Sequence, residues 1–331
     1  MSVHALPTLV GQGGILFLGL LHAAAAYFYF SRTRHALLWA AGWIVLSVVA
    51  ALTLRTQPLV AFAAFATAIL LWTAWWASIR ARPNRSWVAE NARQATAELA
   101  GRELRIKDLR NFRWLAKNQF DARWEDATVN LDAIEAADLF VSTWGDPRIA
   151  HLIVSFVIRG AEPLAFSIET RRETDESWSS LAGFMKSYEL ICIAARESDV
   201  IRVRSNIRHE TVRRYRLGLT PAMCRKLLLH YVDEMNALAR RPRFYNTLFA
   251  NCTTEIVRIL RAAGRRVPWA PAVVVVTGQA PRYFYAKGLL EPGRSFDEIE
   301  ARADIGERAR AADALSPAQF SARIRDASPE R

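Results

Sequence analysis

Three apolar stretches within the first 80 residues constrain this chain more than any other feature of its sequence. They cover about residues 9–30, 36–54 and 58–79, and short polar breaks separate them. Each has roughly the 20 residues with which an α-helix crosses a hydrocarbon layer of about 30 Å. A cleaved signal peptide followed by buried helices is the alternative, but no basic segment precedes the first stretch. The sequence therefore predicts about three transmembrane helices in residues 1–80.

The arginines that flank these stretches predict an orientation. Two lie in the first break and three follow the third stretch: Arg32, Arg34, Arg80, Arg82 and Arg85. No Lys or Arg precedes the first stretch. Because cytoplasmic flanks carry the excess of basic residues, this pattern favours an outside N-terminus and a cytoplasmic location for the rest of the chain.

From Arg80 onward the chain is rich in charged residues, and its net charge is +12. A basic domain attached to a membrane is expected to meet anionic lipid headgroups. Nucleic acid is not predicted as a partner, because no binding motif occurs and acidic residues alternate with the basic ones. No metal-ligand spacing and no glycine-rich phosphate loop occurs, so neither a metal nor another cofactor is predicted.

The charged part is predicted to be an α+β domain over residues 101–300. Residues 81–100 read as a juxtamembrane linker with a short helix over 87–100, and the polar residues 301–331 are predicted to be a disordered tail. The strongest strand signal is an antiparallel hairpin over 149–158 and 164–170, with its turn near Ala161. Residues 188–195 and 200–203 are predicted as further strands. Helices are predicted after Thr220 and from Asn251 or Cys252.

One set of residues in this domain could carry chemistry. A predicted helix N-terminus at Cys252 would stabilise a thiolate, and a thiolate nucleophile needs a base, usually His. With a turn at Ala161, residues 151, 153 and 155 pair with 171, 169 and 167, which puts Glu169 on the same face as His151. Cys252 and His151 are then nucleophile and base, and Glu169 orients the imidazole. The alternative is that Cys252 is inert packing and Glu169 a surface carboxylate.

Several motifs in this region resemble the Lnb N-terminal periplasmic domain family. They occur in order as IAHLIVSF, AFSIETRRE, GFMKSYELICIAARESDVIRVRSNIR and RPRFYNTLFANCTTEI, within about residues 101–288. The family's Asn-Cys-Thr-Thr motif matches residues 251–254, and its Gly-His motif appears with Ala150 before His151. The apolar N-terminal stretches lie outside the resemblance.

The resemblance implies a circularly permuted papain-like fold in which His precedes Cys in the chain. Known relatives are bacterial lipoprotein transacylases, so it implies a thiol acyltransferase or hydrolase acting on lipid or lipoprotein esters, with Cys252 as nucleophile and His151 as base. The oxyanion and substrate-binding residues expected around them are Asn251, Tyr245, Asn246, Ser155 and Ser167. The rivals are a cell-wall peptide amidase or peptidase and a non-catalytic envelope scaffold.

The resemblance also implies a periplasmic domain on the bacterial inner membrane, against the orientation that the arginines favour. We follow the resemblance, because large domains translocate despite a few flanking charges.

Overall fold

The structure is a computed structural model of the chain that describes residues 5–31, 33–179, 181–264, 266–268 and 276–326. It divides into two compact units. The first comprises residues 1–82 together with 175–188, and the second comprises residues 83–174 and 189–331.

The first unit contains three apolar helices, as the sequence predicts. They are α1 (Ala5–Tyr29), α2 (Ala36–Thr53) and α3 (Pro58–Ser78). Each is long and apolar enough to cross a membrane. Trp43, Ala50 and Phe65 are buried where the helices pack, whereas many large apolar side chains such as Leu59 face outward. An outward apolar surface of this kind is stable against lipid and not against water.

The second unit is built on a mixed sheet. Its strands are β1 (Thr96–Ala100), β2 (Glu103–Arg110), β3 (Arg113–Ala116), β4 (Gln119–Asp121), β5 (Trp124–Asn130), β6 (Ile134–Thr143), β7 (Ala150–Ile158), β8 (Leu164–Arg171), β9 (Glu189–Arg196) and β10 (Thr211–Arg216). Eight of them form one sheet in the order β1-β2-β9-β8-β7-β6-β10, with β5 on β2, while β3 and β4 form a separate pair. The α+β class predicted from the sequence is confirmed.

Helices cover both faces of this sheet. On one face lie α5 (Pro221–Arg240) and α6 (Cys252–Ala262), in an apolar core that includes Leu152 and Val154 of β7. The other face packs against a second core that includes Ile153. Alternate residues of β7 therefore point into different cores, as the two-residue period of a strand requires.

Four shorter helices follow α6 within the described residues. They are α7 (Ala280–Ala286), α8 (Phe296–Ala303), α9 (Gly306–Ala311) and α10 (Pro317–Arg323). Ile305, Ala309, Phe320 and Ile324 belong to the second core. The predicted disordered tail is therefore wrong over residues 301–326, because its sparse apolar residues are spaced to bury one face; residues 327–331 lie outside the described residues.

Two further predictions need correction. The helix predicted over residues 87–100 is instead a short 3-10 turn, Ala89–Asn91, followed by β1, which pairs with β2 across Gly101. Gly101 has a φ of +63°, which suits a tight hairpin turn better than a helix end. The residues predicted as a strand over 200–203 lie at the end of α4 (Glu197–Val200) and the start of a π-helical turn, Val203–Ile207.

The predicted hairpin is present as β7 and β8, with a different register. Ile153 pairs with Ser167 and Ser155 with Ala165, so β8 is shifted by two residues from the expected alignment. The turn centres on Gly160, with a φ of +73°, and not on Ala161. A shift of two residues keeps every side chain on its face, so the expected juxtaposition survives.

Candidate active site

Cys252 is the first residue of α6, at a helix start that the local sequence fixes. The side chain of Asn251 accepts a hydrogen bond from the Thr254 N–H at 2.9 Å, and the Thr254 hydroxyl accepts from the Asn251 N–H at 2.8 Å. This reciprocal pair is a capping box, which satisfies two of the N–H groups that an α-helix leaves unpaired at its start. The Asn-Cys-Thr-Thr sequence thus fixes where the helix begins and which residue stands in its first position.

The thiol of Cys252 meets the N-terminal end of β7. The ladder between β7 and β8 stops at the Ile153–Ser167 pair, and the backbone N–H of Leu152, one residue beyond it, lies near enough to Cys252 Sγ to oppose the rise in the pKa of the thiol. The Leu152 nitrogen is bonded to the carbonyl carbon of His151, so the sulfur lies within one peptide unit of His151. Cys252 arrives from the face that carries α6, and His151 projects from the other face of the strand.

Burial raises the pKa of the Cys252 thiol. The N–H groups of Leu152 and Thr253, the Thr253 hydroxyl and the charge of Arg204 oppose this effect only in part. Cys252 is 8 % exposed, and its resting form at neutral pH is the neutral thiol. Cys192 and Cys224 are also buried free thiols, and burial raises their pKa values too.

His151 is held by a serine and a carboxylate of the neighbouring strand. Its Nε2 lies 2.7 Å from Ser167 Oγ, and the Ser167 hydroxyl donates to Glu169 Oε1 at 2.7 Å. The distance from His151 Nε2 to Glu169 Oε1 is 3.6 Å, too long for a hydrogen bond. Ser167, expected near the substrate, therefore lies between the two residues that the sequence predicts as direct partners.

This arrangement determines the tautomer of His151. Burial and the nearby Arg204 lower its pKa to about 3, so the imidazole is neutral at neutral pH. A serine hydroxyl has a single proton, which Ser167 donates to Glu169, so its oxygen accepts from His151 and Nε2 must carry hydrogen. A neutral imidazole protonated at Nε2 has its lone pair on Nδ1. The base nitrogen of His151 is therefore Nδ1.

Arg204, in the π-helical turn Val203–Ile207, is the residue of this cluster that the sequence did not reveal. Its guanidinium donates to Glu169 at 3.0 Å and to Glu210 at 3.3 Å, and it is almost fully buried. Burial alone raises the pKa of Glu169, but the charge of Arg204, together with His151, Arg110 and the hydrogen bond from Ser167, holds this pKa well below its usual range. Glu210 in turn accepts from Ser142, which pairs with His151 across β6 and β7.

Three of the expected oxyanion and substrate-binding residues lie in the segment around Cys252. Tyr245 is half-buried, and its pKa is raised by burial and by the nearby Cys252 thiol. Both polar atoms of the Asn251 side chain have partners, since its oxygen caps α6 and its nitrogen donates to Thr247 O at 2.6 Å. Asn246 Oδ1 accepts from the N–H groups of Leu248 and Phe249 and shapes the turn before α6. Of these three residues, Tyr245 is the one whose pKa the thiol affects.

Ser155 does not belong to the cluster. It is fully buried on β7 and donates to Glu197, which forms an ion pair with Arg325. Its expected role in substrate binding therefore has no geometric support. Among the described residues, no group of three or more His, Cys, Asp and Glu side chains is arranged to hold a metal ion.

Comparison with known proteins gives one result. Residues 120–277, which include Cys252, His151 and Glu169, match the family model described as the Lnb N-terminal periplasmic domain. No curated protein and no solved structure matches the chain.

Proposed function

Residues 120–277 belong to the Lnb N-terminal periplasmic domain family, and from this premise we propose that the protein is a membrane-anchored thiol acyltransferase or hydrolase of the bacterial cell envelope. The observation that carries the proposal is the position of Cys252 at the start of α6 beside β7, where the backbone N–H of Leu152, the residue after His151, acts on the thiol. The substrate is an ester of a membrane lipid or lipoprotein. Three apolar helices keep the enzyme in the bilayer with a substrate that cannot leave it.

The reaction starts from an uncharged Cys252 thiol and an uncharged His151 imidazole. His151 Nδ1 takes the proton of the Cys252 thiol as the sulfur attacks the ester carbonyl carbon. The carbon–oxygen bond of the ester then breaks, and the leaving alcohol takes the proton back from the imidazolium. An amine or a water molecule attacks the resulting thioester, transfers a proton through His151, and restores the thiol. Ser167 and Glu169 support the positive charge on the imidazole in each step.

The oxyanion of the tetrahedral intermediate needs donors at the start of α6. We assign them to the backbone N–H of Cys252, which the helix leaves unpaired, and to the Tyr245 phenol. The high pKa of Tyr245 keeps this phenol protonated, which a donor requires. Asn251 supports the same geometry indirectly, as the cap that fixes the first turn.

The chain is a membrane protein with a domain of a periplasmic family. We propose that its three helices cross the bacterial inner membrane. An odd number of spans puts the two flanks of this region on opposite sides, so a periplasmic domain requires a cytoplasmic N-terminus. Protease added to intact spheroplasts should then digest the domain; full protection, with digestion only after lysis, would support the cytoplasmic orientation that the arginines favour.

The catalytic proposal is tested with full-length protein in detergent, given a synthetic diacylglyceryl-cysteine peptide and, separately, phosphatidylglycerol vesicles. We expect one fatty-acyl mass on Cys252 by mass spectrometry, with release of the lyso product. Cys252→Ala should abolish both signals. Cys224→Ala, which removes another buried thiol, should retain them.

Lyso product formed equally by Cys252→Ala would refute thiol catalysis. Cleavage of peptide amides with no ester turnover would favour the amidase. If neither substrate class reacts and cells with Cys252→Ala keep every envelope phenotype, the non-catalytic scaffold is the correct description.

A further inference from the structure

We propose that residues 175–188, the connection between β8 and β9, form a second membrane contact that places Trp178 and Leu181 among the lipid headgroups and upper acyl chains. The inference depends on the membrane-spanning helices and not on the catalytic proposal. The connection belongs to the same compact unit as α1, α2 and α3. It is anchored to the end of α3 and carries exposed apolar side chains.

The anchor is Lys186. Its ammonium donates to Trp76 O at 2.6 Å and to Ile79 O at 3.3 Å, the carbonyls at the C-terminal end of α3, and it lies 5.6 Å from the Trp76 ring centroid. A cation is favoured at this end of a helix because its last carbonyls are unpaired and carry partial negative charge. The backbone of Lys186 has a φ of +52°, an unusual conformation for a residue with a side chain.

The end of α3 defines a depth in the bilayer. The helix has 21 residues, which corresponds to about 31 Å, close to the thickness of the hydrocarbon layer. Trp72, Trp75 and Trp76 lie near this end, and tryptophan is enriched at the membrane–water interface. A segment bonded to Trp76 and Ile79 is therefore held at the level of that interface.

The connection has an internal frame that fixes Trp178. The Tyr188 hydroxyl donates to Ser177 O at 2.7 Å and accepts from the Ser179 N–H at 2.8 Å, so both neighbours of Trp178 are bound to one buried side chain. The 3-10 turn Ala182–Phe184 continues the frame beyond Leu181. The exposed residues thus lie on an ordered support that is itself bound to α3.

Trp178 is 53 % exposed and Leu181 is 61 % exposed. On the same unit, Leu71 of α3 is 68 % exposed on a helix whose outer surface faces lipid. The connection therefore exposes apolar side chains on the same compact unit that carries the three helices long and apolar enough to cross a membrane. Indole and isobutyl side chains at this depth gain by leaving water, whereas the nearby Lys186 suits the headgroup region.

The test is the depth of a label at Leu181. Full-length Leu181→Cys is labelled with a nitrobenzoxadiazole fluorophore and reconstituted in vesicles of phosphatidylcholine and phosphatidylglycerol. Quenching by lipids with a doxyl group high on the acyl chain is compared with quenching by iodide in the water. Wild-type protein measures background labelling of the three buried thiols. Leu71→Cys is the lipid-exposed reference, and Trp178→Cys is a second position in the same segment.

We expect the doxyl lipids to quench the labels at 181 and 178 at least twofold, and iodide to quench them little. The label at 71 should respond to doxyl lipids and not to iodide. Strong iodide quenching at 181 and 178, with no response to doxyl lipids, would overturn the proposal. Because the readout is depth and not turnover, the result does not depend on whether Cys252 is catalytic.

Discussion

The low pKa of His151 has a consequence for stability in acid. In the unfolded chain a histidine takes up a proton below its ordinary pKa of about 6.5, whereas burial and Arg204 lower the pKa of folded His151 to about 3. The unfolded state therefore binds more protons between these values, and stability falls as the pH falls through this window. The pKa of Glu169 is also lowered in the folded protein. Its contribution to stability is therefore lost as the pH falls too, but only below about pH 4.5, the ordinary pKa of this side chain.

We expect His151→Gln to flatten this dependence between pH 6.5 and about 5.5, an interval that lies above the ordinary pKa of Glu169 and in which Glu169 is ionised in both states. The measurement is the thermal midpoint of the full-length protein and the variant across this interval, in one detergent. Parallel curves would contradict a buried neutral histidine, and would indicate that His151 is solvated and titrates in the same way in both states.

For individual residues, the sequence predicted the chemical groups of the candidate site better than the contacts that each of them makes. Cys252, His151 and Glu169 could be proposed from the sequence because a helix start and an alternating strand have recognisable local patterns. The interposed Ser167 depends on a strand register that Gly160 sets, and this detail is not visible in residue types. Arg204 was missed because it is one arginine among many, and only the fold shows that it is buried against Glu169.

The capped N-terminus of α6 leads to a prediction about the stability and the activity that depend on this helix. Asn251→Ala removes the capping acceptor, and such changes typically cost about 1 kcal/mol of stability. Because the same cap fixes the first turn at Cys252, we expect the variant also to lower the rate of acyl transfer. Ser295→Ala, which removes the equivalent cap of α8, should cost a similar free energy and leave the rate unchanged.

Two quantities are measured for each variant: the free energy of unfolding, from urea titration, and the initial rate of lyso-product release. Asn251→Asp retains a capping oxygen and should keep most of the stability. If Asn251→Asp is fully stable but as slow as Asn251→Ala, the amide nitrogen has a direct role in the reaction, and the assignment of Asn251 as a cap alone is wrong.

Elements with strong periodicity were predictable from the sequence, and those defined by partners were not. The apolar spans and the β7–β8 hairpin have long regular patterns. Residues 87–100 are rich in Ala and Glu, which favours a helix by composition, but the partner strand β2 across Gly101 overrides that preference. The same applies to α4 and the turn that carries Arg204, where short apolar runs do not distinguish strand from helix.

Across the whole molecule, the C-terminal region completes the second core. Arg325 donates to Asp138 at 3.0 Å and to Glu197 at 2.7 Å, and both carboxylates are almost fully buried on the sheet side. Without Arg325, Asp138 keeps Arg214 and Arg216 as partners, but Glu197 loses the arginine of its buried ion pair, and such a loss typically costs about 3–5 kcal/mol. Sequence composition alone predicted disorder here, since the apolar residues that secure this region are few and far apart.

We expect Arg325→Met to destabilise the protein by about this amount, measured as a shift in the urea midpoint of the full-length chain. Arg323→Met is the matched control, because Arg323 pairs with Asp326 near the surface, where an ion pair contributes at most about 1 kcal/mol. Equal and small effects of the two variants would mean that the region after α9 is not part of the cooperative unit.

The order of strands in the main sheet has a consequence for folding during synthesis of this protein. β2 pairs in parallel with β9, at Arg110 and Ala195, although six strands intervene in the chain between them. Such long-range pairings make folding slow, because the chain loses the entropy of closing a large loop before the contacts between the strands can stabilise it. During synthesis β1 and β5 can pair with β2 early, whereas β9 must emerge before it can join β2 and cover the second edge of β8. Until then this edge of β8 stays open, and an open edge is a template for wrong pairing. We expect the nascent chain to need a chaperone during this interval, long after its membrane helices have been made.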